Sequence, residues 1–229
     1  MKIEVLADSD AVAKAAAAVI AADARAAVAA RGRYVFAVSG GTTPWVMLRA
    51  LAGEDMPWHA VHLLQVDERV APAGDPIRNL THLHESLALA PLSKPCIHPM
   101  PVEGTDLDAA AARYAQLLRE FAGTPPVLDL VHLGMGPDGH TASLVPGDAV
   151  LDVTGVDVAI TAGPYQGRRR MTLTYQALDR ARRVLWLVTG AEKVGMLKRL
   201  QAGDRSIPAG RVRADNALVL ADRAASPAN

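Results

Sequence analysis

The residues best suited to chemistry lie in a glycine-rich turn at positions 134–140, directly after an apolar run (128–134) typical of a buried strand. The turn carries an acid, Asp138, and an imidazole, His140. In open α/β sheets, ligands bind at the carboxyl ends of parallel strands, where backbone N–H groups and side chains converge. Because an imidazole changes charge near neutral pH, its chemistry would be proton transfer. His140 is therefore the first candidate for a reacting side chain.

A second candidate site is the segment SGGTTP at 39–44, which follows the apolar run YVFAV. A strand, a glycine turn and a helix start together make an anion site, because glycines let the backbone approach and the first helical N–H groups point outward. Pro44 suits a first helical turn. The segment lacks the Gly-Lys-Ser/Thr ending of a nucleotide-binding P-loop, so a sugar phosphate is the better ligand. A plain capped turn is the alternative. The residues expected to hold the anion are Ser39, Gly40, Gly41 and Thr42.

Charged residues follow two further apolar runs. Asp67, Glu68 and Arg69 come after VHLLQV, and an arginine there offers a planar set of donors for a phosphate or an oxyanion. A solvated loop with a local salt bridge is an equally good interpretation of this triplet. Downstream, Arg78 and Asn79 could face the same cleft.

Lys193 lies in the segment TGAEK (189–193), again a strand, a glycine and a helix start. A cation is disfavoured in a first helical turn, so a bound anion would explain this lysine, although an exposed one there costs little. The cluster Arg168, Arg169 and Arg170 is expected to be a solvated loop.

The glycines at 134, 136 and 139 also fit a dinucleotide-binding fingerprint, with Asp157 about 20 residues farther on. That fingerprint must open a full crossover helix. Here Pro146 and Gly147 follow within two turns, and the His140 ring would crowd a pyrophosphate. The pattern therefore argues against a nicotinamide cofactor.

Alternating strand and helix patterns must position these turns. Strands are predicted at 3–7, 34–39, 61–67, 128–134, 156–161, 183–189 and 217–221, and helices near 10–31, 43–53, 77–88, 106–122 and 191–201. The alternation predicts an α/β fold with a mostly parallel sheet and helices on both faces. No linker or composition break interrupts it, so 1–229 is predicted to be a single domain. The proline-rich stretch 91–105 is expected to be a surface connection.

Composition narrows the function classes. The 229 residues are 50% hydrophobic and carry 24 basic and 24 acidic side chains, so no net charge draws the chain to nucleic acid or to an anionic membrane. A single cysteine, Cys96, allows no intrachain disulfide and suggests a reducing cytoplasm. Charges interrupt the alanine-rich segment 11–32, which predicts a surface helix capped by Asp8 or Ser9.

Taken together, SGGTTP, VDER, GMGPDGHTASLVPG, RRMTLT, TGAEK and IPAGRV resemble, in order and spacing, the 6-phosphogluconolactonase family over nearly the whole chain. The resemblance implies a Rossmann-like fold shared with glucosamine-6-phosphate deaminases. It also implies hydrolysis of 6-phospho-D-glucono-1,5-lactone to 6-phosphogluconate in the pentose phosphate pathway, without a metal or cofactor.

The resemblance also assigns roles to residues. His140 would be the general base for water, Arg69 would stabilise the oxyanion, and Asp67 would shape the site. Asp138 would hold the turn or orient His140. The phosphate would rest on residues 39–42 and Lys193, with Arg170 as a further candidate. Val145 and the pair Tyr175-Gln176 depart from the family pattern, and these departures concern the pocket wall more than the chemistry.

Two other functions remain open. Deaminases that act on aldose and ketose phosphates resemble this chain in three turns, but they carry Phe-Asn-Glu-Pro after the DGH triplet where this chain has Ser143 to Pro146. A non-catalytic sugar-phosphate sensor would need no His140, although no basic recognition helix precedes the domain. The expected partner is a small sugar-phosphate lactone, and the expected assembly is a monomer or a small homo-oligomer.

Overall fold

The computed structural model describes residues 1–91 and 96–226. The strands are β1 Lys2–Leu6, β2 Tyr34–Val38, β3 Val61–Gln65, β4 Asp67–Arg69, β5 Ile97–His98, β6 Leu130–Leu133, β7 Val158–Ile160, β8 Arg170–Leu173, β9 Val184–Val188 and β10 Ala217–Asp222. The α-helices are α1 Ser9–Arg31, α2 Thr42–Leu51, α3 Asn79–Ser86, α4 Leu107–Ala122, α5 Tyr175–Asp179 and α6 Val194–Gln201. A short 3₁₀ turn, Ala191–Lys193, leads into α6.

Seven strands form a parallel sheet in the order β1-β10-β9-β6-β2-β3-β5. Along β2, Tyr34, Phe36 and Val38 face one hydrophobic core while Val35 and Ala37 face another. Because successive strand residues point to opposite faces, the fully buried β2 reads as a continuous apolar run. Helices α1, α2 and α3 cover the first face, and α4, α5 and α6 cover the second. The predicted sheet with helices on both faces is confirmed.

Helix α1 illustrates how the sequence builds one layer. Asp8 caps its first turn by accepting a hydrogen bond from the Ala11 N–H at 2.8 Å, and Gly32 ends it at φ 75°. The capping residue is thus one of the two predicted. The buried face of α1 consists mainly of alanines, whose small side chains let the helix pack closely on α2 and on the sheet.

A second, antiparallel sheet, in the order β4-β8-β7, was not predicted. The predicted strand at 61–67 is in fact divided: β3 ends at Gln65, and β4 begins at Asp67 in the smaller sheet. Two predictions were wrong here. Arg170 is not in a solvated loop but is buried in β8, and the stretch 91–105 contains β5, which pairs with β3. The part of that stretch at 92–95 lies outside the described residues.

Candidate active site

A cavity of about 300 Å³ opens at the carboxyl ends of the neighbouring strands β3, β2, β6 and β9. Its volume is at the lower end of the range for small-molecule sites. Every predicted site residue except Asp138 lines it, and Asp138 contacts His140 directly. The lining residues are Ser39, Gly40, Gly41, Thr42, Thr43, Pro44, Asp67, Arg69, Asn79, Gly134, Met135, Gly136, His140, Ala142, Arg170, Leu187, Thr189, Glu192 and Lys193.

His140 is held by two neighbours. Its Nδ1 lies 2.6 Å from Oδ1 of Asp138 and 3.2 Å from the hydroxyl of Tyr165, and that hydroxyl donates to Oδ2 of Asp138 at 3.1 Å. Burial would raise the pKa of Asp138, but hydrogen bonds from His140 and Tyr165 lower it overall. An ionised carboxylate only accepts, so Nδ1 must carry the proton. The lone pair on Nε2 is then available to a reactant, and Asp138 rather than Asp67 orients the ring.

The glycine turn makes room for this arrangement. A Cβ at Gly136 would lie 2.1 Å from Nδ1 and Cε1 of His140 and 2.8 Å from Oδ1 of Asp138. The Gly136 N–H donates to the His140 carbonyl at 2.9 Å, and Thr141 Oγ1 donates to the Gly134 carbonyl at 2.9 Å. The next element after this turn is a short 3₁₀ helix, Ala149–Asp152, and not the crossover α-helix that the fingerprint must open. Asp157 pairs instead with Arg180, so the dinucleotide interpretation has no structural support.

The predicted anion site, here named the cradle, consists of residues 39–42 at the start of α2. The N-cap of α2, Gly41, makes no side-chain capping bond, and the first turn contains no acidic residue. Such a helix start presents unpaired N–H groups and a positive dipole end. Gly40 lies against Asn79, since a Cβ there would be 2.0 Å from the Asn79 Oδ1. The Ser39 N–H donates to the buried His132 ring, whose pKa burial lowers to about 3, so His132 stays a neutral acceptor.

Several buried polar atoms belong to residues that line the cavity. In the described part of the chain, four buried side-chain atoms of lining residues make no hydrogen bond to the protein: Ser39 Oγ, Arg69 Nε, Asn79 Oδ1 and Arg170 Nε. The residues that line the cavity therefore leave both donors and an acceptor available for further hydrogen bonds.

Three basic side chains from different elements line the cavity. Lys193 ends the 3₁₀ turn before α6, close to Thr189, whose hydroxyl lies 2.7 Å from that of Thr43 on α2. This contact places Lys193 on the cradle side. Arg69 donates to the Ile77 carbonyl at 2.7 Å. Arg170 lies 4.8 Å from the centre of the Tyr165 ring, on the His140 side, and burial lowers its pKa.

Asp67 is buried and rigidly held, because the hydroxyl of Ser143 donates to it at 2.7 Å and Asn79 Nδ2 donates to its backbone carbonyl at 3.0 Å. Its neighbour Glu68 points away from the cavity and accepts from the first N–H groups of α3, at Asn79 and Leu80. Glu68 thus fixes the helix start that carries Asn79.

Arg78 does not reach the cleft. Its guanidinium is buried and pairs with Glu68 at 3.1 Å and with Glu103 at 2.6 Å. The outcome for the two downstream candidates is therefore split, because Asn79 lines the cavity and Arg78 supports it from behind.

Sequence reasoning missed three contacts of the site. Tyr165 reaches His140 from a hairpin 25 residues away, Ser143 bonds Asp67 across 76 residues, and Thr189 meets Thr43 across 146. The local signal for the hairpin is Gln166-Gly167, both at positive φ, as a tight two-residue turn requires. Tyr175, which departs from the family pattern, bonds the Pro208 carbonyl and does not line the cavity.

A family model described as glucosamine-6-phosphate isomerases/6-phosphogluconolactonase matches residues 7–220. The chain belongs to this family. A 6-phosphogluconolactonase of Mycobacterium tuberculosis is 39% identical over 98% of this chain and 96% of its own length. The crystal structure of a 6-phosphogluconolactonase from Thermotoga maritima has a TM-score of 0.85 and 26% identity over 96% of this chain and 98% of that one.

A monomeric glucosamine-6-phosphate deaminase has a TM-score of 0.83, with 99% of each chain covered and 19% identity, which shows that it shares the fold. The chain is thus a family member with the predicted fold.

No helix within residues 1–91 and 96–226 is long and apolar enough to span a membrane. Across the same ranges, no three His, Cys, Asp or Glu side chains are grouped so that they could hold a metal ion.

Proposed function

We propose that this protein hydrolyses 6-phospho-D-glucono-1,5-lactone to 6-phosphogluconate, with His140 as the base that activates water. The observation that carries the proposal is the hydrogen-bonded His140, whose Nδ1 is tied to Asp138 while the ring lines the cavity that also contains the anion cradle. The family relationship supports the same reaction, since relatives similar over almost their whole length are named 6-phosphogluconolactonase.

The substrate phosphate rests on residues 39–42 at the start of α2, with Lys193 beside it. Unpaired helical N–H groups and a lysine provide the charge-assisted hydrogen bonds that a dianionic phosphate needs. Binding at this end leaves the lactone ring to extend towards His140, which is how a remote charged group fixes the reacting carbon.

The attack begins when Nε2 of His140 accepts a proton from water and the water oxygen bonds to the lactone carbonyl carbon. The carbonyl oxygen becomes a negatively charged tetrahedral oxyanion. Arg69 and Arg170 stabilise it, because Arg170 lies against Tyr165 on the His140 side of the cavity. Asp138 stabilises the imidazolium that forms. General base catalysis of this kind contributes about 10²–10⁴-fold.

The intermediate collapses when the bond between the carbonyl carbon and the ring oxygen breaks. The ring oxygen takes the proton that His140 removed from water, so the imidazole returns neutral and the product is a free acid with a hydroxyl. No covalent enzyme intermediate is required. Asp67, held by Ser143 and Asn79, lines the cavity together with the two arginines and shapes its wall.

The site lacks an acidic residue that the deaminase alternative requires. That residue would lie just after the DGH triplet, where this chain has buried Ser143 to Val145, with the Ser143 hydroxyl committed to Asp67. Asp138 is the carboxylate bonded to His140 among the described residues. Lactone hydrolysis needs one base at this place, which His140 provides.

The test compares His140→Ala with wild type and with His84→Ala, an exposed histidine on α3 that serves as the matched control. Freshly generated lactone is added at mildly acidic pH, acid release is followed, and the spontaneous rate is subtracted. We expect kcat to fall at least about 10²-fold in His140→Ala and to stay unchanged in His84→Ala, with affinity for 6-phosphogluconate retained.

Three results would contradict the proposal. One is an unchanged rate in His140→Ala. The second is release of ammonia from glucosamine 6-phosphate without lactone hydrolysis, which would indicate a deaminase. The third is tight sugar-phosphate binding by wild type with no turnover, which would indicate a sensor.

A further inference from the structure

Tyr165 comes to the reacting histidine from outside the large sheet. It precedes the Gln166-Gly167 turn of the hairpin that connects β7 to β8, and backbone bonds between Tyr165 and Arg168 close that turn. The ring of Tyr165 meets that of His140 edge to face, with centroids 5.1 Å apart. The smaller sheet therefore delivers a side chain to the glycine turn that follows β6.

Three polar groups meet in a closed set of hydrogen bonds. The proton on Nδ1 of His140 points to Oδ1 of Asp138 at 2.6 Å, and the Tyr165 hydroxyl donates to Oδ2 at 3.1 Å. The phenol oxygen is also 3.2 Å from Nδ1, close enough to accept a share of that proton. Each oxygen of Asp138 thus has its own donor, so the carboxylate cannot rotate without losing one bond.

The tyrosine is itself held in place. The guanidinium of Arg170 lies over its ring at 4.8 Å, and Arg170 Nη2 donates to Oε1 of Gln166 at 3.0 Å. Arg170 is buried, and its backbone N–H donates at 3.0 Å to Oγ1 of Thr161, the residue directly after β7. These contacts within the hairpin therefore fix the position of the Tyr165 side chain.

We propose that Tyr165 is a positioning residue for lactone hydrolysis: its hydroxyl fixes the Asp138 carboxylate, which holds His140 with Nε2 towards the substrate. This inference rests on the proposed function. Tyr165 does not line the cavity, so it acts through Asp138 and not on the substrate.

Removing the hydroxyl changes the charge balance in a defined direction. Burial raises the pKa of Asp138, and the hydrogen bond from Tyr165 is one of the contacts that lower it. Without that bond the pKa of Asp138 rises, and its carboxylate loses the donor that holds Oδ2 in place. The other charged groups lining the cavity are Asp67, Arg69, Arg170, Glu192 and Lys193, and the substitution leaves them in place.

The test is Tyr165→Phe, with Tyr175→Phe as its matched control. Both hydroxyls donate at 3.1 Å, but Tyr175 donates to the Pro208 carbonyl, away from the cavity. We expect Tyr165→Phe to lower kcat roughly tenfold, less than the loss of the base itself, with KM within about twofold of wild type. Tyr175→Phe is expected to match wild type.

A double-mutant cycle with Asp138→Asn tests the route of the effect. If Tyr165 acts through Asp138, Tyr165→Phe adds less than about twofold in the Asp138→Asn background. A full tenfold loss there would overturn the inference. So would an unchanged kcat in Tyr165→Phe, or an equal loss in Tyr175→Phe.

Failure of the inference and failure of the proposed function give different results. An inactive His140→Ala combined with a fully active Tyr165→Phe would reject the tyrosine role alone. A fully active His140→Ala would reject the proposed function, whatever Tyr165→Phe does.

Discussion

The Gly136→Ala substitution tests whether the glycine turn exists to place His140. An added Cβ would lie 2.1 Å from the His140 ring, and ordinary contact begins at 3.4 Å, so the ring must move by about 1.3 Å (3.4 minus 2.1). The same Cβ would be 2.8 Å from Oδ1 of Asp138. Both His140 and Asp138 must therefore shift away from position 136, and their mutual hydrogen bond is disturbed. The backbone of Gly136 is not at positive φ and accepts alanine without strain of its own.

A misplacement of about 1 Å in a catalytic group can cost about 10²-fold in rate. We therefore expect kcat of Gly136→Ala to fall about 10²-fold. The melting temperature should change little, because the ring that must move is partly exposed and lies outside both cores. The assay is initial-rate hydrolysis of the lactone after subtraction of the spontaneous reaction, together with thermal unfolding.

Gly195→Ala is the matched control, since a Cβ at that position on α6 meets nothing within 4 Å. It should retain wild-type kcat. The reasoning would be refuted by Gly136→Ala with a rate within twofold of wild type. A structure of that variant with the 2.6 Å contact between His140 and Asp138 intact would refute it equally.

Two further predictions concern the phosphate site and acid stability. Lys193→Gln should raise KM about tenfold with kcat nearly unchanged, because it removes a charge-assisted bond to the remote phosphate; an unchanged KM and unchanged inhibition by inorganic phosphate would contradict this. For stability, burial lowers the pKa of His132 from 6.5 to about 3, so the folded state stays neutral where the unfolded chain binds a proton. Neutral His132 therefore adds no pH dependence to the free energy of unfolding above about pH 6.5. As the pH falls from there towards 3, that free energy decreases by up to about 1.4 kcal/mol per pH unit. Urea unfolding at several pH values should show that the unfolding free energy depends less steeply on pH in His132→Gln than in wild type. An identical pH dependence would contradict the role of His132.

The strands of the large sheet and the turns after them were readable from the sequence, with β5 as the exception. Apolar runs with glycine directly behind them mark buried parallel strands and their carboxyl ends, so the segment at 39–42, Asp67, His140 and Lys193 could be predicted to meet at one edge. The physical reason is local: strand burial, turn chemistry and helix start are all determined by neighbouring residues.

Other features depended on contacts that no local pattern contains. The charged triplet at 67–69 and Arg170 resemble parts of solvated loops, yet they pair in β4 and β8 of a second sheet. Arg78 and Asn79 are adjacent in sequence, and only the start of α3 on Glu68 decides that Asn79 faces the cavity while Arg78 is buried behind it.

The sequence by itself therefore determined which residues could react and at which edge of the sheet they lie. The tertiary structure decided how His140 is held, because Tyr165 reaches it from a hairpin whose position depends on packing and Arg170 lies over the Tyr165 ring. Hydrogen bonds across 25 to 146 residues form only after distant segments pack together, and strand or helix periodicity contains no information about them.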